Sequence, residues 1–191
     1  MKEKIFNPKN LIIITGPSGV GKTSVATELL KRNRSIERLV TCTTREIRPG
    51  ERDGRDYVFL AKRAFKTMLG RGEFFEWAEV YGNYYGSRLP DLKNLCERNK
   101  YVLMVLDIQG AKKIKKKFKN ARTIFITADF TELAKRLVER GKMTKEDFAV
   151  RQKIAKKEMA AAGKFDYTVE NESGKLKTAV KKIERILEQG I

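Results

Sequence analysis

Residues 11–23 read LIIITGPSGVGKT. Leu11 to Ile14 are four apolar residues in a row, and Gly16, Gly21, Lys22 and Thr23 then stand in G-x-x-x-x-G-K-T spacing. From Lys22 the chain continues KTSVATELLKR, a run dense in helix formers. Strand, glycine loop and helix in that order is the context a phosphate-binding loop requires. Glycines let the backbone turn so that successive N–H groups converge, and the helix N-terminus adds partial positive charge at the same point. The reading therefore places a nucleoside triphosphate on Gly16, Pro17, Ser18, Gly19, Val20, Gly21, Lys22 and Thr23. Lys22 reaches the β- and γ-phosphates, and the Thr23 hydroxyl is a candidate Mg²⁺ ligand. The competing account, a tight turn glycine-rich by chance, has to explain four matched positions with correct flanks.

Working outward, 191 residues suffice for one domain with a real core, and 41% hydrophobic against 35% charged residues fits a globular chain. No apolar run approaches the roughly 20 residues of a membrane helix, and MKEKIFNPKN lacks the apolar stretch of a signal peptide. A cytoplasmic location is the expectation. The chain has no histidine, which excludes imidazole acid–base chemistry and His-ligated zinc. Cys42 and Cys96 lack metal-ligand spacing and read as two reduced thiols. The net charge of +18 suggests polyanionic partners, and KKIKKKFK (112–119) is its densest run. Ile114 and Phe118 stand four apart there, as on the buried stripe of an amphipathic helix with lysines on the wet face. Nucleic acid is not expected as the main partner on charge alone.

Beyond the loop, strands and helices alternate. Residues 40–44, 57–60, 74–80, 83–87, 101–107 and 122–127 read as strands, as does DYTVEN near the end. Helices are expected over 64–72, 89–99, 111–118, 130–141 and 144–162 and from Gly174 onward. Continuous apolar strands separated by helices imply a doubly wound α/β core with a parallel sheet covered on both faces. Residues 40–87 look like a small mixed β insertion. Within it, Arg45 and Arg48 lie among turn residues in TTREIRPGERDGRDYVF. Two guanidinium forks there suit bidentate recognition of a phosphate, with Tyr57 as a further donor; a solvated basic loop is the alternative. Glu76 lies inside the aromatic run EFFEWAEV. A carboxylate is costly to bury there without donors. Guanine supplies two, N1–H and the N2 amino group, whereas an outward-facing position on an alternating strand needs none. Thr41 and Ser87 add hydroxyls that could complete a base site.

Taken together, GPSGVGKT, TTREIRPGERDGRDYVF, EFFEWAEVYGNYYGS and LDIQGAKKI resemble the guanylate kinase family, from about Leu11 to Asn171. The resemblance implies a P-loop kinase fold and transfer of the γ-phosphoryl of ATP to GMP, with Mg²⁺. It also implies a core of 1–39, 88–130 and 164–191, a GMP-binding domain over 40–87, and a lid with flanking helices over 131–163. By the same resemblance Arg45, Arg48, Tyr57 and Tyr85 hold the GMP phosphate, while Thr41, Glu76 and Ser87 read the base. Glu51 and Asp107 are acidic positions near the nucleotide, with Asp107 also organising the metal. Asn171 lies near the adenine site. Arg136, Arg140 and Arg151 match lid arginines that close on the transferring phosphoryl. Two positions depart from the family: Val105 stands where a second acid is frequent, and Ile47 where proline is.

Three rivals are distinguishable. A related kinase acting on another acceptor should lack Glu76, Ser87, Arg45 and Arg48 as a set. A phosphopeptide-binding module should have lost the phosphate loop or the lid arginines. A nucleic-acid-binding protein should show steeply salt-sensitive binding. Oligomeric state is not readable from the sequence.

Overall fold

A computed structural model describes Pro8 and residues 10–98, 101–133 and 153–189. Its nine strands are β1 (Leu11–Thr15), β2 (Ile36–Arg38), β3 (Cys42–Thr43), β4 (Val58–Phe59), β5 (Phe74–Val80), β6 (Asn83–Arg88), β7 (Tyr101–Val105), β8 (Arg122–Thr127) and β9 (Tyr167–Glu170), counted among the described residues. The helices are α1 (Lys22–Arg32), α2 (Lys62–Gly70), α3 (Leu89–Glu97), α4 (Ile108–Lys117) and, at the end, α7 (Leu176–Glu188). Between these last two, residues 130–133 (α5) and 153–159 (α6) are helical, and Ala162–Lys164 form a 3-10 turn. One parallel sheet has the order β2-β7-β1-β8-β9, and a second, mixed sheet has the order β4-β3-β6-β5. The expected α/β architecture with a mixed β insertion is present.

The residues divide into two compact units: Met1–Ile12, Ser35–Met104 and Lys112–Ala121 in one, Ile13–Arg34, Val105–Ala111 and Arg122–Ile191 in the other. In the second unit, α1 buries Val25, Ala26 and Leu29, and α7 buries Ala179, Val180, Ile183 and Leu187 at helical spacing. The two helices pack together. Arg32 clasps Glu184 across them through two hydrogen bonds of 2.9 Å. Phe125 on β8 stacks on Phe165 at 5.3 Å, within a cluster that includes Ile108 and Ala161.

In the first unit, Phe65, Phe74 and Cys42 form a small core, with the two rings stacked at 4.4 Å. A Cβ at Gly86 would lie 2.9 Å from both rings, so the stacking needs glycine there. The basic run behaves as an amphipathic element: Ile114 and Phe118 are buried. Lys113 donates to the Trp77 carbonyl at 2.7 Å. Both cysteines are free thiols. No helix among the described residues is long and apolar enough to cross a membrane.

Several boundaries differ from the sequence reading. The β-branched run 40–44 contributes only Cys42–Thr43 to a strand. The chain leaves one sheet after Arg38, with the Leu39 N–H on the Leu103 carbonyl, before entering the other. The preceding strand β2 was not anticipated. Its Ile36, Glu37 and Arg38 pair in parallel with Tyr101, Val102 and Leu103. The 57–60 strand shortens to Val58–Phe59. The β5–β6 turn, read from the sequence as Gly82-Asn83, is Tyr81-Gly82, both in the left-handed region, and Asn83 already pairs with Val80. Two positive φ values between antiparallel strands are what a tight hairpin of the primed type demands. Helix α4 starts at Ile108 instead of residue 111. The Asp107 carboxylate accepts the Gln109 and Gly110 N–H groups at 2.6 and 3.0 Å and so caps the helix earlier. The helices expected over 130–141 and 144–162 are described only at 130–133 and 153–159.

Candidate functional site

The first cluster lies in the second unit. β1 ends at Thr15 and the loop begins at Gly16, whose φ of 141° is open to glycine alone; a Cβ there would meet the Ile126 carbonyl oxygen at 2.3 Å. Gly21, at φ 89°, leads directly into α1. Lys22 folds back over the loop and donates to the Gly16 and Pro17 carbonyls at 2.7 and 2.9 Å. Thr23 is exposed on the first turn of α1. Asn171, just after β9, is buried, and its side-chain amide donates to the Val20 carbonyl at 2.8 Å. Asn171 is thereby fastened to the loop itself. A Cβ on Gly21 would stand 2.4 Å from that amide nitrogen. Gly21→Ala is accordingly expected to destabilise the protein by about 1–3 kcal/mol, the scale of backbone strain at a functional turn. Urea unfolding together with ATP affinity checks this.

Sequence reasoning missed Glu158 on α6. Its carboxyl lies close enough to the Ser18 N–H, Lys22 and Asp107 for each to act on its charge. Burial pushes the Glu158 carboxyl up, against the opposing pull of Lys22 and the Ser18 N–H. One carboxylate in a highly charged helix carries no local signal; only the fold brings it to the loop. Asp107 presents one oxygen to the start of α4, as above. Val105 is a buried aliphatic residue at the end of β7.

The second cluster lies in the first unit. Arg45 donates to both Glu51 oxygens at 2.8 and 3.0 Å. The Arg48 N–H donates to Glu51 at 2.9 Å. Arg45 also sits 5.4 Å from the Tyr57 ring centre and close enough to the Tyr85 hydroxyl for each to act on the other's charge. Tyr57 and Tyr85 meet edge to face at 6.1 Å. Arg45, Glu51, Tyr57 and Tyr85 thus form one connected group, and the Arg48 backbone joins it. Burial raises the Tyr57 phenol, with Arg38 and Arg45 acting against it.

Burial alone would push the Glu51 carboxyl up. The hydrogen bonds from Arg45 and the Arg48 N–H outweigh that and hold it below its ordinary 4.5. A carboxyl lowered in the folded state adds stability that is complete above the unfolded value and drains away as pH falls through the folded one. Glu51→Gln should therefore melt lower than the parent at pH 6, with the gap closing below about pH 4. Thermal melts between pH 3 and 6 read this directly.

Glu76 settles on the buried side of β5 with Phe74 and Ala78, while Trp77 and Glu79 face outward. It is 6% exposed, and the fully buried Ser87 hydroxyl donates to it at 2.8 Å across the β5–β6 pair. The outward-facing alternative is excluded. Thr41 is buried as well. Arg136, Arg140 and Arg151 lie outside the described residues.

The guanylate kinase family model matches residues 8–190. Guanylate kinase of Prochlorococcus marinus subsp. pastoris is 42% identical over 166 residues, 86% of this chain and 90% of its own. That of Aromatoleum aromaticum is 43% identical over 167 residues, 86% of this chain and 81% of its own. Among solved structures, guanylate kinase from Anaplasma phagocytophilum superposes with a TM-score of 0.77 at 27% identity, covering 97% of this chain and 87% of that one. Shikimate kinase from Bacteroides thetaiotaomicron, at 15% identity and a TM-score of 0.50 over 93% of this chain and 98% of that one, shares the fold alone.

Proposed function

The chain belongs to the guanylate kinase family, and from that membership we propose that it transfers the γ-phosphoryl of ATP to GMP, and to dGMP, giving ADP and GDP in the cytoplasm. The observation that carries the choice of acceptor is the buried Glu76 bonded to Ser87. An ionised carboxylate accepts hydrogen bonds and donates none. The Watson–Crick edge of guanine offers two donors, whereas adenine offers an acceptor at N1 and would leave the carboxylate opposed.

In this reading the two clusters hold the two substrates. The loop 16–23 takes the triphosphate of ATP, with Asn171 supporting the loop. Arg45, Arg48, Tyr57 and Tyr85 take the GMP phosphate, and Thr41, Glu76 and Ser87 take the base. Glu51 orients Arg45 and the 48–51 turn. Phosphoryl transfer asks little covalent work of a protein; positioning and charge stabilisation carry it. No protein-bound phosphoryl intermediate is required. Lys22 stabilises charge on the transferring group, together with Arg136, Arg140 and Arg151 as the family resemblance assigns them.

Among the described residues no three acidic, cysteine or histidine side chains converge to hold a metal ion unaided. Mg²⁺ usually binds through one or two protein oxygens plus substrate phosphates. The exposed Thr23 hydroxyl and the Asp107 oxygen not bonded to α4 are the groups suited to it. When bound, the ion would neutralise charge on the β- and γ-phosphates.

The test is ADP formation with ATP, Mg²⁺ and GMP, dGMP, AMP, CMP or UMP in turn. Fast turnover with GMP, slower with dGMP and almost none with the others is expected. Equal turnover of AMP would overturn the acceptor assignment.

A further inference from the structure

Arg38 stands outside every motif above, yet the fold brings it to the acceptor-phosphate cluster. It is the last residue of β2, paired with Leu103 at the edge of the five-stranded sheet. Its guanidinium donates to the Asp56 carbonyl at 2.8 Å and lies 5.6 Å from the centre of the Tyr57 ring, where Arg45 lies at 5.4 Å. One tyrosine ring thus carries two guanidiniums. A single Asp56–Arg38 hydrogen bond ties the turn preceding Tyr57 to a core strand. The Arg38 Nε–H is buried with no hydrogen-bond partner among the described residues. A buried donor left unmade is costly, and an anionic ligand nearby is one way to offset that cost.

The charge balance points the same way. Asp56 is matched by Arg55 at 2.9 Å. Glu51 is matched by Arg45 at 2.8 Å. Beyond these two pairs, Arg38 acts on Asp56 and Tyr57 and Arg48 acts on Glu51, so the cluster carries two further guanidiniums. A phosphate monoester carries about −1.5 to −2 at pH 7. Without Arg38 the cluster would match a monoanion only.

We infer that Arg38 is a positioning residue of the acceptor-phosphate site: it holds Tyr57 and the 53–57 turn in place and supplies the second positive charge that matches a dianionic phosphate monoester. This rests on the acceptor reading proposed above. It predicts a role in holding the acceptor and none in holding ATP.

The experiment compares the parent, Arg38→Met and Arg38→Lys in steady-state kinetics with GMP and with ATP varied separately, at low and high salt, alongside thermal melts and calorimetric titration with inorganic phosphate. Arg38→Met is expected to raise KM for GMP about tenfold, or about 1.4 kcal/mol. Its kcat should fall less than threefold and its KM for ATP should not change. Its KM for GMP should also respond less to salt than the parent's, because one screened charge is gone. Arg38→Lys, which keeps the charge and loses the fork, should fall between the two. A KM for GMP within twofold of the parent would overturn the inference. So would equal shifts in KM for GMP, KM for ATP and kcat accompanied by a lowered melting temperature, the mark of a purely structural residue. If the parent fails to phosphorylate GMP, the acceptor reading fails by itself. The phosphate titration then still decides Arg38: weaker binding in Arg38→Met supports the role, and unchanged binding removes it.

Discussion

Lys22→Ala should lower turnover at least about a hundredfold, the scale of removing a main electrostatic stabiliser from a transition state. Lys22 leaves the first turn of α1 and arches back over Gly16 and Pro17, so its ammonium is already held above the loop. On arrival of a triphosphate this cation is the loop's own ready counter-charge. Alanine removes the charge and also leaves two carbonyls without their donor, so ATP binding should weaken as well. The part belonging to chemistry is read by single-turnover measurements at saturating ATP, where the loss in affinity drops out. A saturated rate within threefold of the parent would take Lys22 out of the transfer step.

Glu76→Gln should raise KM for GMP roughly 10- to 150-fold, corresponding to the loss of about 1.5–3 kcal/mol for a hydrogen bond to a charged group. The substitution conserves volume, so the packing of Phe74 and Ala78 on the same side of β5 is undisturbed. It replaces an oxygen with an NH₂ group that opposes the guanine donors. Because size and shape are kept, stability should change little while recognition fails. The ratio of kcat/KM for GMP to that for AMP is the decisive readout. It should fall by a similar factor, and an unchanged ratio would remove Glu76 from base recognition.

What could be read before any coordinates follows a physical divide. The phosphate loop is legible because its chemistry depends on backbone conformation, and glycines at fixed spacing encode that locally. Glu76 is legible because a carboxylate among aromatic strand residues is anomalous wherever it occurs, though only β5 pairing with β6 decides which face it takes. The connected group of Arg45, Glu51, Tyr57 and Tyr85 drew on the family resemblance as much as on turn composition. Arg38 and Glu158 were illegible for a common reason. Each is an ordinary charged residue whose partners lie far off in sequence, Arg38 from Asp56 and Tyr57, Glu158 from Ser18 and Lys22. Strand β2 escaped because three residues, two of them charged, show no period of their own. The start of α4 escaped because Asp107 reads equally well as a helix cap and as a nucleotide-site acid.

The clasp between Asn171 and the phosphate loop bears on how the protein comes into being. Val20 and Asn171 are 151 residues apart, and the Asn171 N–H is itself held by Thr127 beside β9. The loop sequence therefore leaves the ribosome 151 residues ahead of the group that clasps its backbone. The loop is completed only once that group has emerged: a nascent chain halted before β9 would carry every residue of the glycine motif while lacking the amide that secures it.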